Sequence, residues 1–134
     1  MKKKINKPEI ELTIIKEDEG YSAIGQWKNR GLATCGDNWK HLQKMIIEMV
    51  NLVFEDLGYT YTIDEIHFKY DLESFFDFYK VINAKALSER IGMNQSLLAQ
   101  YTNGIKKPSA SQTKRILQGV QQIGRELSEV QFML

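Results

Sequence analysis

Residues Asn83–Pro108 read NAKALSERIGMNQSLLAQYTNGIKKP, and the organisation of the chain is decided on that stretch. Ala84, Leu87 and Ile91 recur at three- and four-residue spacing, which predicts the apolar stripe of a short helix. Gly92 supplies the permissive backbone that a sharp exit from that helix needs. Asn94 is a good N-cap, and Leu97, Leu98 and Tyr101 give a second helix its buried side, closed by Asn103-Gly104. Two helices of under three turns joined by a Gly-containing turn form a helix-turn-helix pattern. An ordinary helical hairpin with a solvated outer face has the same spacing. The outer face of the second helix carries Asn94, Gln95, Ser96, Ala99 and Gln100. These are short or amide-bearing groups that approach base edges without desolvating a charge. Gln pairs with adenine in bidentate fashion, Ser serves either base edge, and an Ala methyl meets the thymine methyl.

The segment from about Leu72 to Leu127 resembles the Cro/repressor (Xre-type) helix-turn-helix family. The resemblance is carried by Leu87, Ile91, Gly92-Met93, Leu98, Tyr101 and the trailing run Asn103-Gly104-Ile105-Lys106-Lys107-Pro108-Ser109. Where that family usually places Ala, this chain has Ser88, which is also small. The resemblance implies that Leu72–Ile82, with its stripe Leu72, Phe75, Phe76 and Tyr79, is the first helix of the DNA-binding domain, packing on the motif from behind. Asp71 is the expected cap of that helix. After Pro108, Ser109-Ala110-Ser111 offers an N-cap for a last helix over Gln112–Leu127. Gly119 and Gly124 within it call for close helix packing or a break near Gly124. The tail Val130–Leu134 is expected to dock on its own domain or to pair with a second copy.

Charge is distributed unevenly. The 134 residues have a net charge of only +1. Between Ala84 and Arg125, however, Lys85, Arg90, Lys106, Lys107, Lys114, Arg115 and Arg125 face Glu89 alone, a net +6. Basic charge gathered on one segment is what phosphate contact requires. Lys85, Lys106, Lys107 and Lys114 are the expected phosphate-holding residues, and one motif covers only a half-site, so a homodimer or higher homo-oligomer is expected.

Upstream of the motif the pattern changes. Glu9–Ile15 alternates, with Ile10, Leu12 and Ile14 on one face, and predicts a half-buried strand. A polar turn ending in Gly20 leads to a second strand over Tyr21–Trp27. A break at Lys28–Gly31 precedes a third over Leu32–Cys35, completing an antiparallel meander. Asp37 or Asn38 caps a helix over Trp39–Leu57, whose stripe includes Leu42, Ile46, Val50 and Phe54. Tyr61–Tyr70 returns to strand character. The expected fold is α+β: a β-β-β-α-β antiparallel sheet covered by one long helix over residues 1–70, then an all-α helix-turn-helix domain over 71–134.

The stretch IELTIIKEDEGYSAIGQWKNRGLATCGDNWKHLQKMIIEMVNLVFEDLG resembles the HicB-like antitoxin domain. An acidic, Gly-ended turn leads to a Tyr-led strand, and Gly36-Asp37-Asn38 steps into a long helix. This chain has Asn29-Arg30-Gly31 where such proteins usually have a Pro-Gly-Cys bend. The resemblance implies a trimmed ribonuclease H-type or double-stranded-RNA-binding-type sheet used for protein contact. It further implies a partner, a HicA-like mRNA-cleaving toxin that the sheet domain binds and neutralises, in a type II toxin–antitoxin pair whose antitoxin represses its own operon. The competing expectation is a stand-alone transcription regulator whose sheet domain senses a ligand or mediates oligomerisation.

No catalytic constellation is visible, so no enzyme, metal or cofactor is expected. His41 and His67 fall in different elements with no ligand spacing around them. Cys35 is expected to be a buried, inert thiol. A nuclease would need clustered carboxylates, with Glu11 and Asp18 the first to test. A hydrophobic content of 43%, a single cysteine and the lack of a long apolar run predict a cytoplasmic protein without a membrane span.

Overall fold

The computed structural model describes residues 7–133. The sequence opens on a polar, basic stretch, Lys2–Lys7, which lies, Lys7 apart, outside the described residues, as does Leu134. Among the described residues are four strands and five α-helices: β1 Ile10–Lys16, β2 Tyr21–Trp27, β3 Arg30–Gly36, α1 Trp39–Val53, β4 Ile66–Tyr70, α2 Leu72–Phe78, α3 Ala84–Ile91, α4 Gln95–Thr102 and α5 Ala110–Ser128. The chain divides into two compact units, Met1–Phe78 and Tyr79–Leu134.

In the first unit β1, β2 and β3 form the expected meander, with Thr13 opposite Ile24 and Ile24 opposite Ala33. The β1–β2 turn closes through Glu17 N–H donating to Gly20 O at 3.1 Å. The expectation of an all-antiparallel sheet is corrected at β4. This strand pairs parallel to β1, Ile10 opposite Ile66 and Ile14 opposite Tyr70, giving a mixed sheet of order β3-β2-β1-β4. The physical reason is the connection. A chain leaving edge strand β3 through a 15-residue helix crosses the sheet face and returns beside β1 running the same way. Side-chain alternation reports which face a residue takes, not which way the strand runs. β4 is also shorter than expected, because Ile63–Glu65 forms a single 3₁₀ turn closed by a Thr62–Glu65 capping box.

The core of this unit is built from alternate residues of the strands and one stripe of α1. Ile10, Leu12, Ile14, Ala23 and Leu32 meet Leu42, Ile46, Val50 and Phe54, all at most 2% exposed. Asn38, rather than Asp37, caps α1, accepting from His41 N–H at 2.9 Å. The opposite sheet face presents Glu11, Ile24, Ala33, Cys35, His67 and Lys69, all exposed. The Cys35 thiol is thus not the buried group the sequence suggests. Its neighbours in an edge strand alternate, and Leu32 and Thr34 take the inner positions.

α2 belongs with the sheet and not with the helix-turn-helix, which moves the division from Tyr70/Asp71 to Phe78/Tyr79. Asp71 caps it as expected, accepting from Ser74 N–H at 2.7 Å. Its anchors, however, are largely polar. Ser74, 3% exposed, accepts from the backbone N–H of Lys16 at 3.0 Å. Asp77 accepts from the Tyr21 hydroxyl at 2.7 Å and from Lys16 Nζ at 2.9 Å. Phe78 packs edge-on to Tyr21 and Trp39, at centroid distances of 5.0 and 4.9 Å. An apolar-stripe reading of this helix weighs Phe75 and Phe76 and passes over Ser74 and Asp77.

In the second unit three helices enclose a small core of Leu87, Ser88, Met93, Leu98, Tyr101 and Ile116, each at most 6% exposed. Gly119 explains how α5 reaches α3. A Cβ there would collide with Ile91 Cγ2 and stand 3.3 Å from Leu87 Cδ1. Gly124 has no such neighbour, and α5 runs through it unbroken.

Candidate nucleic-acid interface

Local chemistry builds the helix-turn-helix. Asn83 caps α3, accepting from Ala86 N–H at 3.0 Å. Gly92 ends that helix in the left-handed region, at φ +65°, where a side chain is costly. Met93 N–H returns to Ser88 O at 2.9 Å, and the Met93 side chain is buried. Asn94 then caps α4, accepting from Leu97 N–H at 3.1 Å. Leu98 and Tyr101 hold α4 on its inner side, and Ile105 N–H donates to Gln100 O at 2.9 Å, tying the Lys106-Lys107 run to the helix end.

The opposite face of α4 is free. Asn94, Gln95, Ser96, Ala99 and Gln100 are all exposed. Gln95, Ser96 and Gln100 make no side-chain hydrogen bond among the described residues. Asn94 differs, since its carbonyl oxygen is engaged as the cap and only its amide N–H₂ remains to meet a base. Three neutral hydrogen-bonding side chains and one methyl on a single face have the donors, acceptors and size that major-groove edges require.

The seven basic residues between Ala84 and Arg125 divide by task. Arg90 makes a bidentate pair with Glu126, at 2.7 and 2.8 Å, clamping α3 to the end of α5. The Arg90 guanidinium holds the Glu126 carboxyl below its ordinary range. Arg115 Nη2 donates to the Ile91 and Gly92 carbonyls, both at 2.7 Å, and so satisfies the end of α3 while fixing α5 against the turn. Arg125 donates to Gln122 within α5. The remaining four are Lys85, Lys106, Lys107 and Lys114. All are exposed, and none has a carboxylate partner among the described residues. Arg90 and Arg115 are structural, Arg125 is engaged within its own helix, and these four lysines are left to solvent or to a polyanion.

Sequence reasoning missed the role of Arg115. Its partners are backbone carbonyls more than twenty residues away, which leave no mark on periodicity. Comparisons with protein-family models, with curated proteins and with solved structures return no match. Among the described residues no group of three or more His, Cys, Asp or Glu side chains is placed to hold a metal ion. No helix there is long and apolar enough to cross a membrane.

Proposed function

We propose that this protein is a sequence-specific DNA-binding repressor of the antitoxin type. α4 enters the major groove, Gln95, Ser96, Ala99 and Gln100 meet base edges with help from Asn94, and Lys85, Lys106, Lys107 and Lys114 hold the flanking phosphates. The observation that carries this reading is the division of labour in the second unit: an uncharged, hydrogen-bonding face on α4, accompanied by four lysines that the fold itself does not use. The first unit, by its resemblance to the HicB-like domain, restrains a small HicA-like mRNA-cleaving toxin and places it under the operon control of the second. The β-β-β-α-β order and the open sheet face support that assignment, since such a face offers a broad surface for protein contact.

The test of DNA binding is a mobility-shift titration with the protein's own promoter region. Gln95→Ala with Gln100→Ala is expected to cost about 1–3 kcal/mol for each lost base contact, where 1.4 kcal/mol is about tenfold in affinity. Unchanged affinity, or equal affinity for unrelated DNA, sinks the assignment of the reading face. For the partner, the first unit is expected to co-purify with the product of a small adjacent reading frame. If that product passes through unbound, the stand-alone regulator is the better description.

A further inference from the structure

Along the segment that the DNA-binding reading places on the duplex, one side chain has no task in that reading. Ile105 is 75% exposed, and among the described residues between Asn94 and Lys107 it is the one large apolar side chain left so. It belongs to the turn that leaves α4, a place that Gly, Pro, Asn, Asp and Ser usually take. The turn is fixed and cannot fold the isoleucine away. Gly104 takes a left-handed backbone at φ +72°, and its N–H donates to the carbonyl of the buried Tyr101 at 3.2 Å. The N–H groups of Ile105 and Lys106 both donate to Gln100 O, at 2.9 and 3.2 Å. Ile105 is thus pinned beside the end of α4 with its side chain in water.

We propose that Ile105 packs on the deoxyribose between the base met by Gln100 and the phosphate held by Lys106, and so ties the site to DNA rather than RNA. Position selects that occupant. Gln100, whose carbonyl receives the Ile105 N–H, is assigned to a base edge, and Lys106 and Lys107, which follow, are assigned to phosphates. On a nucleic-acid strand the unit between base and phosphate is the sugar. A deoxyribose presents a C2′ methylene, which an aliphatic side chain covers without stranding a hydrogen bond. A ribose has a hydroxyl there, a donor and acceptor that isoleucine leaves unsatisfied. Charge agrees, since Lys106 and Lys107 are exposed and have no carboxylate partner among the described residues, which suits a polyanion and not an apolar protein surface. The contact is apolar and releases no counterion, which separates it in measurement from the lysines beside it. The inference rests on the DNA-binding reading and deepens it: the outer face of α4 selects a sequence, and Ile105 selects the sugar.

The test is a mobility-shift titration of the full chain against its promoter duplex at several salt concentrations. Ile105→Ala is expected to weaken binding about tenfold, with the log–log salt slope and thermal unfolding unchanged. A duplex carrying one ribonucleotide, moved position by position along the half-site, supplies the second arm. At one position the ribonucleotide is expected to weaken the wild type about tenfold and Ile105→Ala by less than about twofold. Full affinity in Ile105→Ala, or equal losses in both proteins at every position, overturns the proposal and leaves DNA binding standing. Equal affinity of the wild type for an all-RNA duplex of the same sequence also overturns it. So does a changed salt slope, which would make the contact electrostatic. Lowered thermal stability of Ile105→Ala counts the same way, since it would mean that Ile105 is covered within its own chain. A wild-type chain that binds no promoter DNA removes the reading and this inference together.

Discussion

Tyr21 shows how one side chain ties two elements of the first unit. Partial burial pushes its hydroxyl up to about 12, and the hydrogen bond to Asp77 adds to the effect. A raised folded-state value means the native state keeps its proton longer than the unfolded chain, so this contribution is present below about pH 10 and is lost as pH rises towards 12. Absorbance titration is expected to show a late tyrosinate component that Tyr21→Phe removes. The same substitution is expected to lower the unfolding free energy by about 1.5–3 kcal/mol, the range for a hydrogen bond to a charged group. Asp56, Glu65 and Glu126 behave in the opposite sense. Hydrogen bonds from Arg30, Lys7 and Arg90 hold these carboxyls below their ordinary range, so their contributions are lost only as pH falls through the depressed values. The two glycines of α5 make a further contrast. Gly119→Val is expected to destabilise by about 1–3 kcal/mol through collision with Ile91. Gly124→Ala is expected to stabilise by up to about 1 kcal/mol, since a Cβ there meets nothing within 4 Å. Denaturant melts of the two variants, run side by side, check both signs.

Among the elements, α2 and α4 differ in how openly their residues declare their role. α4 is bounded by Asn94 and Asn103-Gly104, and its inner and outer residues separate cleanly by polarity, so its ends and its faces could be read directly. Its charge environment could be read only in part. The seven basic residues of Ala84–Arg125 look alike in sequence, and two of them, Arg90 and Arg115, turn out to hold the unit together. Lys106→Ala with Lys107→Ala is therefore expected to flatten the log–log salt dependence of DNA binding by about 0.9 per lysine while leaving unfolding unchanged. Arg115→Ala is expected to do the reverse in kind, lowering stability through the lost bonds to Ile91 and Gly92. α2 misleads because its aromatic stripe suggests a partner in the second unit, whereas Ser74 and Asp77 bind it to the β1–β2 hairpin. A chain truncated after Tyr70 is expected to melt well below one truncated after Phe78, as followed by circular dichroism.

At the scale of the whole molecule, the two units have separate cores and separate proposed tasks. Within unit 1 the helices α1 and α2 fill one sheet face, and the other stays open. Within unit 2 the three helices bury one side of α4 and leave the other free. The sequence by itself determined what depends on near neighbours: the strand alternation of β1, the caps at Asp71 and Asn94, the glycine exit at Gly92, and the polar outer face of α4. These follow from steric and hydrogen-bonding preferences acting over at most four or five residues. Only the tertiary structure decided the parallel direction of β4, the allegiance of α2, the exposure of Cys35 and the division of arginines from lysines. Each depends on groups far apart along the chain, such as Lys16 and Ser74 at a separation of 58 residues. Contacts at that range carry no period, and packing alone selects them.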